Sequence, residues 1–181
     1  MLEQLTTERL VLRSWRPHDA HAALDVYGAP EVARWLSPAV EPVRDVSAMR
    51  LLLQQWIAEE PQLVPPSGRW AIELQEDGTV VGGAVLLPLP PRGDDLEIGW
   101  QLRPAAWGRG YATEAGRALA DWAFRQGLDE LLAVVRPANR RAEATVRRIG
   151  MEWVGETDKY YGLRLQVFRL RPTDLLPDSA W

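Results

Sequence analysis

Apolar positions along the chain switch between a period of two and a period near three and a half. The switches mark out an order of strands and helices. Leu10 to Trp15 has the composition of a first strand, stopped by Pro17. Pro17 also suits a helix start, and Ala20, Ala23, Leu24 and Tyr27 continue at helical spacing until Gly28. A short helical turn is expected from Pro30 to Leu36. Val46, Met49, Leu53, Trp56 and Ile57 mark one face of a longer helix, which Pro61, Pro65 and Pro66 end.

Trp70, Ile72 and Leu74 alternate, and Asp77-Gly78 is a hairpin signal before Val80 to Leu87. The prolines at 88, 90 and 91 with Gly93 read as a rigid loop. Leu96 to Leu102 is another strand, and Gly110 to Gln126 a helix with Ala115, Leu119, Trp122 and Ala123 inward, ending near Gly127. Leu131 to Val135 is apolar without alternation, as expected of a strand covered on both faces. Asn139 caps a helix that runs to Ile149, with Gly150 at its end. Strands from about Trp153 to Thr157 and from Leu165 to Leu170 close the order. This predicts a mixed α/β (α+β) sheet flanked by helices, in a single domain over residues 1–181 with no repeat or linker.

Composition narrows the classes. Apolar residues make up 46% of 181 and charged residues 25%, a globular balance. Nine tryptophans are many, and they fit either bulky core packing or an aromatic-lined cleft. The net charge of −4 advertises no basic face, so nucleic acid is not an expected partner. The absence of cysteine excludes a disulfide scaffold, a thiolate nucleophile and cysteine zinc sites. His18 and His21 read as a surface pair, and no metal site is expected. Neither a signal peptide nor a run of roughly 18 apolar residues is present, so the chain reads as soluble and cytoplasmic.

The chemistry concentrates between Glu97 and Ala115. A strand and a proline-stopped turn lead into Gly108-Arg109-Gly110-Tyr111-Ala112, which opens an amphipathic helix. Small residues at 108, 110 and 112 let a backbone approach a ligand, and free N–H groups of a first helical turn attract an anion. Arg109 adds a cation. The segment therefore reads as a pyrophosphate cradle, or as a glycine-rich turn needed only for chain reversal. The spacing does not fit a dinucleotide fold, and there is no Gly-Lys-Ser or Gly-Lys-Thr for a Walker loop.

Trp107-Gly108-Arg109-Gly110-Tyr111-Ala112 resembles the Gln/Arg-x-x-Gly-x-Gly/Ala loop of the Gcn5-related N-acetyltransferase (GNAT) superfamily. The leading tryptophan is usual in its ribosomal-protein (Rim-type) branch. Thr7-Glu8-Arg9-Leu10-Val11-Leu12-Arg13 resembles the family's opening strand, and Pro30-Glu31-Val32-Ala33-Arg34-Trp35-Leu36 its first acceptor-side helix. Asn139-x-x-Ala142 ending in Gly150-Met151 resembles its second coenzyme A helix. The likeness spans Thr7 to about Arg171.

The resemblance implies an acyl-CoA-dependent N-acyltransferase that moves an acetyl group from acetyl-CoA to a primary amine, on a protein N-terminus or a small molecule. It implies that Trp100, Gln101 and Leu102 offer backbone groups to the pantetheine arm where their strand splays from its neighbour. Trp107, Gly108, Arg109, Gly110, Tyr111 and Ala112 would hold the pyrophosphate, and Asn139 would meet the pantetheine arm, cap its helix, or both. An alkylammonium has a pKa of about 10.4, so the attacking amine needs a base. Glu97 matches the position where some relatives keep one; its other reading is a sheet-edge carboxylate paired with arginine. A backbone N–H near Trp100 is placed to stabilise charge on the carbonyl oxygen.

The family's usual acids for the departing thiolate are absent: Val146 stands where many relatives carry tyrosine, and Ala142 where some carry serine. Tyr160 and Tyr161 are the candidate substitutes, beside solvent. Family architecture puts the acceptor between segments 28–40 and 155–164, with Trp35, Tyr160 and Tyr161 as candidate walls and Glu31, Glu41 and Asp158 as candidate amine anchors. Two rival functions stay open, a non-catalytic acyl-CoA binding module and an aminoglycoside-type resistance acetyltransferase. The expected partners are acetyl-CoA and an amine acceptor, with no membrane, and a homodimer is left open.

Overall fold

The computed structural model describes residues 2–36 and 40–175. Eight strands form one sheet: β1 (Leu5–Thr6), β2 (Leu10–Ser14), β3 (Gly68–Leu74), β4 (Val80–Pro88), β5 (Leu96–Leu102), β6 (Leu131–Val135), β7 (Glu152–Thr157) and β8 (Leu165–Leu170). Their spatial order is β1-β2-β3-β4-β5-β6-β8-β7. Only β5 and β6 run parallel; every other neighbouring pair is antiparallel. This is a mixed, mostly antiparallel sheet, and the hydrophobic pattern predicts its mixed α/β character. Helices α1 (Ala20–Tyr27), α2 (Pro30–Ala33) and α3 (Val46–Glu59) precede β3, and α4 (Tyr111–Arg125) and α5 (Arg140–Ile149) flank β6 in sequence.

Alternation along the strands divides the interior into two layers. On β5, Ile98, Trp100 and Leu102 join the larger core, in which Leu119, Trp122 and Ala123 of α4 meet Val146 and Ile149 of α5. The intervening Glu97, Gly99 and Gln101 look to the opposite face. There Trp15, Tyr27 and Trp56 pack with ring centroids 5.3 to 6.3 Å apart and bind α1 and α3 to the sheet. Tyr27 donates its hydroxyl hydrogen to Gln101 Oε1 at 3.4 Å, so α1 reaches the middle of β5.

The caps follow from sequence. Asp45 accepts from the Ala48 N–H at the start of α3, and Asn139 accepts from the Ala142 N–H at the start of α5. Gly150 closes α5 in the left-handed conformation that glycine adopts without strain. The Asp77-Gly78 signal is a hairpin turn, with Thr79 N–H donating to Asp77 Oδ1.

Local pattern missed three things. β1 is only two residues long and exists through its pairing of Leu5 with Leu12 and Thr6 with Val11. The helix expected over 30–36 stops at Ala33, and the one expected from Pro17 begins as a 3₁₀ turn over Pro17–Asp19. A buried charge network also went unread. Arg13, 5% exposed, donates to Asp19 at 2.8 and 3.0 Å and to Glu73 at 2.6 Å, and ties the start of α1 to β2 and β3. A guanidinium can be buried there because both carboxylates answer its charge.

Candidate active site

The site begins where the parallel pair comes apart. β4 meets β5 at seven positions, from Gly82 opposite Leu102 to Pro88 opposite Leu96, whereas β5 meets β6 only at Glu97 opposite Leu132. Beyond that point the two strands diverge. Backbone groups of Trp100 to Leu102 on the β6 side therefore have no strand to bond to, and buried backbone groups require partners. Trp107 answers one of them, since its indole N–H donates to the Leu102 carbonyl at 3.0 Å. The wedge between the strands is thus shaped to take an extended chain with its own amides.

On one side of the wedge lies the glycine-rich turn. Gly108 and Gly110 have φ of 77° and 81°, and Gly110 is the residue that opens α4. A Cβ on Gly110 would meet Arg9 Nη2 at 3.4 Å, while one on Gly108 would project into open space. Both readings of these glycines are physical at once: the backbone needs them for its direction, and their bareness leaves the first N–H groups of α4 approachable. An open groove of about 1590 Å³ runs past Gly108, Gly110, Tyr111, Ala112, Arg140 and Arg141. Arg109 is exposed, and its carbonyl accepts from Arg9 Nη1 at 2.8 Å. Arg9 is in turn held by Glu114 at 2.7 Å and lies 4.7 Å from the centre of the Tyr111 ring. Pattern reading missed Arg9 as a neighbour of the turn. The clue was its place in the Thr7-Glu8-Arg9 segment, whose threonine and arginine both bond Glu114. These open N–H groups, flanked by Arg9 and Arg141, fit a pyrophosphate.

On the other side lies a cavity of about 260 Å³ under α1 and α2. It shares Leu102, Trp107, Ala112, Arg141 and Thr145 with the groove, so the two open into one another. The Arg141 guanidinium stands 3.4 Å from the centre of the Trp107 ring at this junction. Trp100, Gln101, Leu102 and Asn139 line the cavity, as do Glu97 and Tyr161. Tryptophan serves both roles foreseen for it. Trp70 and Trp122 are core, whereas Trp35, Trp56, Trp100 and Trp107 face the cavity.

Glu97 stands at the vertex, on the last paired register before the strands part. Burial pushes its carboxyl up to about 7, and a hydrogen bond from the Tyr161 hydroxyl to Oε2 at 3.0 Å offsets that rise in part. Among the described residues no arginine pairs with it.

The structure separates the two tyrosines. Tyr161 sits with φ of 56°, followed by Gly162 at 63°, and this left-handed pair turns its ring into the cavity. Tyr160 does not line the cavity. It is buried with Leu89, Leu132, Leu165 and Val167 and donates to Asp95 Oδ2 at 2.5 Å. Burial and that carboxylate raise the Tyr160 phenol, while the Tyr160 and Lys159 hydrogen bonds hold Asp95 below the usual carboxylate range. Its position anchors the loop, and an acid role for Tyr160 finds no geometric support.

Of the candidate amine anchors, Glu31 lines the cavity, whereas Glu41 and Asp158 are exposed residues outside it. Two arginines that the sequence reading passed over do line it, Arg69 and Arg136. Val146 is fully buried in the core beside the cavity, so a tyrosine there would need the core to repack. His18 and His21 are exposed. Among the described residues no group of three or more His, Asp or Glu gathers as metal ligands, and no helix is long and apolar enough to cross a membrane.

A sheet opened at one parallel pair, with a glycine-rich helix start on one side and a carboxyl-bearing cavity on the other, is the architecture of an acyltransferase. The chain belongs to the GNAT acetyltransferases and is an N-acetyltransferase: the Acetyltransferase (GNAT) domain matches residues 9–152. It is 31% identical over 139 residues to the uncharacterized N-acetyltransferase p20 of Bacillus licheniformis, covering 76% of each chain. An acetyltransferase from Agrobacterium tumefaciens superposes with a TM-score of 0.75 at 29% identity, over 94% of this chain and 95% of that one. Mycobacterium smegmatis RimJ, solved in complex with CoA-disulfide, shares the fold with a TM-score of 0.76 at 21% identity, over 97% and 89%.

Proposed function

We propose that the protein transfers an acetyl group from acetyl-CoA to a primary amine by direct attack, with Glu97 as general base. The observation that carries this reading is the position of Glu97. A carboxyl raised to about 7 lies at the vertex of the β5–β6 wedge, on the wall of the cavity. The cradle of Gly108 to Ala112 and the unpaired edge of Trp100 to Leu102 support binding of the phosphates and the amide-bearing arm. Acetyl-CoA supplies the thioester that the amine attacks.

In this reading Glu97 takes one proton from the incoming ammonium, the freed amine attacks the thioester carbonyl, and the nitrogen gives its second proton to solvent as the C–S bond breaks. A base with a pKa near working pH combines availability with driving force. Tyr161, already bonded to Glu97, gives its own proton to the departing thiolate, and the proton on Glu97 replaces it. One contact of 3.0 Å thus carries the amine proton to the leaving group and returns both residues to their starting states. No covalent enzyme intermediate is needed, in keeping with a chain that has no cysteine.

The direct test is release of free thiol from acetyl-CoA in the presence of an amine panel, together with a ligand-induced rise in thermal stability. Stabilisation without thiol release from any amine would favour a binding module. Absence of both would remove the reading. For the relay, Tyr161→Phe should lower kcat about 10-fold. Because the Tyr161 hydrogen bond lowers the Glu97 pKa, its loss should also move the acidic limb of the kcat/KM profile to higher pH. A rate and limb both equal to wild type would exclude Tyr161 from the chemistry.

A further inference from the structure

The acceptor cavity is not acidic. The charged side chains on its walls are Glu31 and Glu97 against Arg69, Arg136 and Arg141, and Glu97 is neutral through part of the physiological range. Arg141 stacks on Trp107 and also lines the groove, which gives it to the donor side. Arg69 stands 3.1 Å from Glu59 and over the Trp56 ring, so its charge is answered within the fold.

Arg136 is different. It follows the last residue of β6 on the same side of the sheet as Leu132, the partner of Glu97, and its Nη2 donates to the Leu36 carbonyl at 2.6 Å. That backbone oxygen is its hydrogen-bond partner, whereas Nε is buried with none, and among the described residues no carboxylate pairs with it. A half-buried guanidinium on a cavity wall, with no carboxylate paired to it among the described residues, lacks the counter-charge that such groups ordinarily have. The natural complement of its planar fork is a carboxylate.

Leu132, the partner of Glu97, and Arg136 are four positions apart, about 13 Å of extended chain, and Glu97 and Arg136 both line the cavity. The small volume suits a compact molecule spanning that interval. We propose that the acceptor is a small amine that also carries a carboxylate, such as an amino acid, with its nitrogen at Glu97 and its carboxylate on Arg136. This rests on the acetyl-transfer reading of the same cavity. It argues against a polycationic acceptor, which the unanswered charge of Arg136 would repel.

The test compares matched pairs, α-amino acids of varied side chain and their primary amides. Each is titrated by calorimetry against the protein and assayed for thiol release from acetyl-CoA. The acid of a pair should bind and react at least 10-fold better than the amide. Arg136→Met should erase that preference by losing the acids and sparing the amides, with KM for acetyl-CoA unchanged. Arg136→Lys, which keeps the charge without the fork, should retain part of it and serves as the folded comparison if the Met variant is unstable. Amides or polyamines that outperform the acids would overturn the proposal. So would a preference surviving Arg136→Met, or a raised KM for acetyl-CoA, which would assign the guanidinium to the donor. Thiol release with neutral amines but not with acids would sink only this inference, whereas no acetyl-CoA binding at all would sink the reading beneath it.

Discussion

Glu97→Gln should lower kcat/KM by roughly 10²-fold at pH 8, within the range of general-base effects, while leaving acetyl-CoA binding unchanged. In the wild type, kcat/KM should rise with pH through about 7 as the Glu97 carboxyl ionises, and level off above it. The variant should lose that limb and follow the titration of the acceptor amine alone. The sign for stability is opposite. The carboxyl is raised from an unfolded value of about 4.3, so the native state holds an extra proton between the two values. Stability from this group is full below the unfolded value and is lost as pH rises through about 7. Above pH 7 the neutral glutamine should therefore be at least as stable as the buried carboxylate. A loss of activity there cannot then be ascribed to unfolding, and melting curves at pH 6 and 8 check this directly. A variant with wild-type rates, or one that keeps the limb near 7, would reduce Glu97 to a structural carboxylate.

The features that were legible in the sequence are those set by near neighbours. β5 falls at the residues its apolar pattern marks, and α5 begins just after Asn139 and ends before Gly150 because caps act within one turn. The glycine-rich turn was readable for the same reason. What escaped is non-local. Arg13 is answered by Glu73, sixty residues on, and Arg136 bonds Leu36 across a hundred, so neither environment leaves a mark in the local pattern. The tyrosines show the limit at its finest. Tyr160 and Tyr161 are adjacent, equally polar and on one loop, and only the left-handed backbone at Tyr161 and Gly162 decides which ring faces Glu97. The cavity's arginines went unread on the same ground, since residues on β3 and beyond β6 are assembled by sheet order rather than by spacing.

Gly110→Asn should abolish the stabilisation that acetyl-CoA confers, which for a site filled at 100 times its Kd is about 2.7 kcal/mol. The design of this variant matters because Gly110 is held at φ of 81°, where most side chains add strain whatever the space around them. Asparagine tolerates the left-handed region better than other residues, so the fold should survive. Its side chain would enter the path to the first N–H groups of α4, beside Arg9 Nη2. Gly127, at the far end of the same helix with φ of 93° and nothing within 4 Å of an added Cβ, supplies the control. Gly127→Asn meets the same backbone demand away from the groove, and it should keep the full ligand-induced shift. If both variants melt alike without ligand and only Gly110→Asn fails to respond to acetyl-CoA, the glycine serves the ligand as well as the turn. A Gly110→Asn protein that responds like wild type would leave chain reversal as the whole function of this residue and place the phosphates elsewhere along the groove.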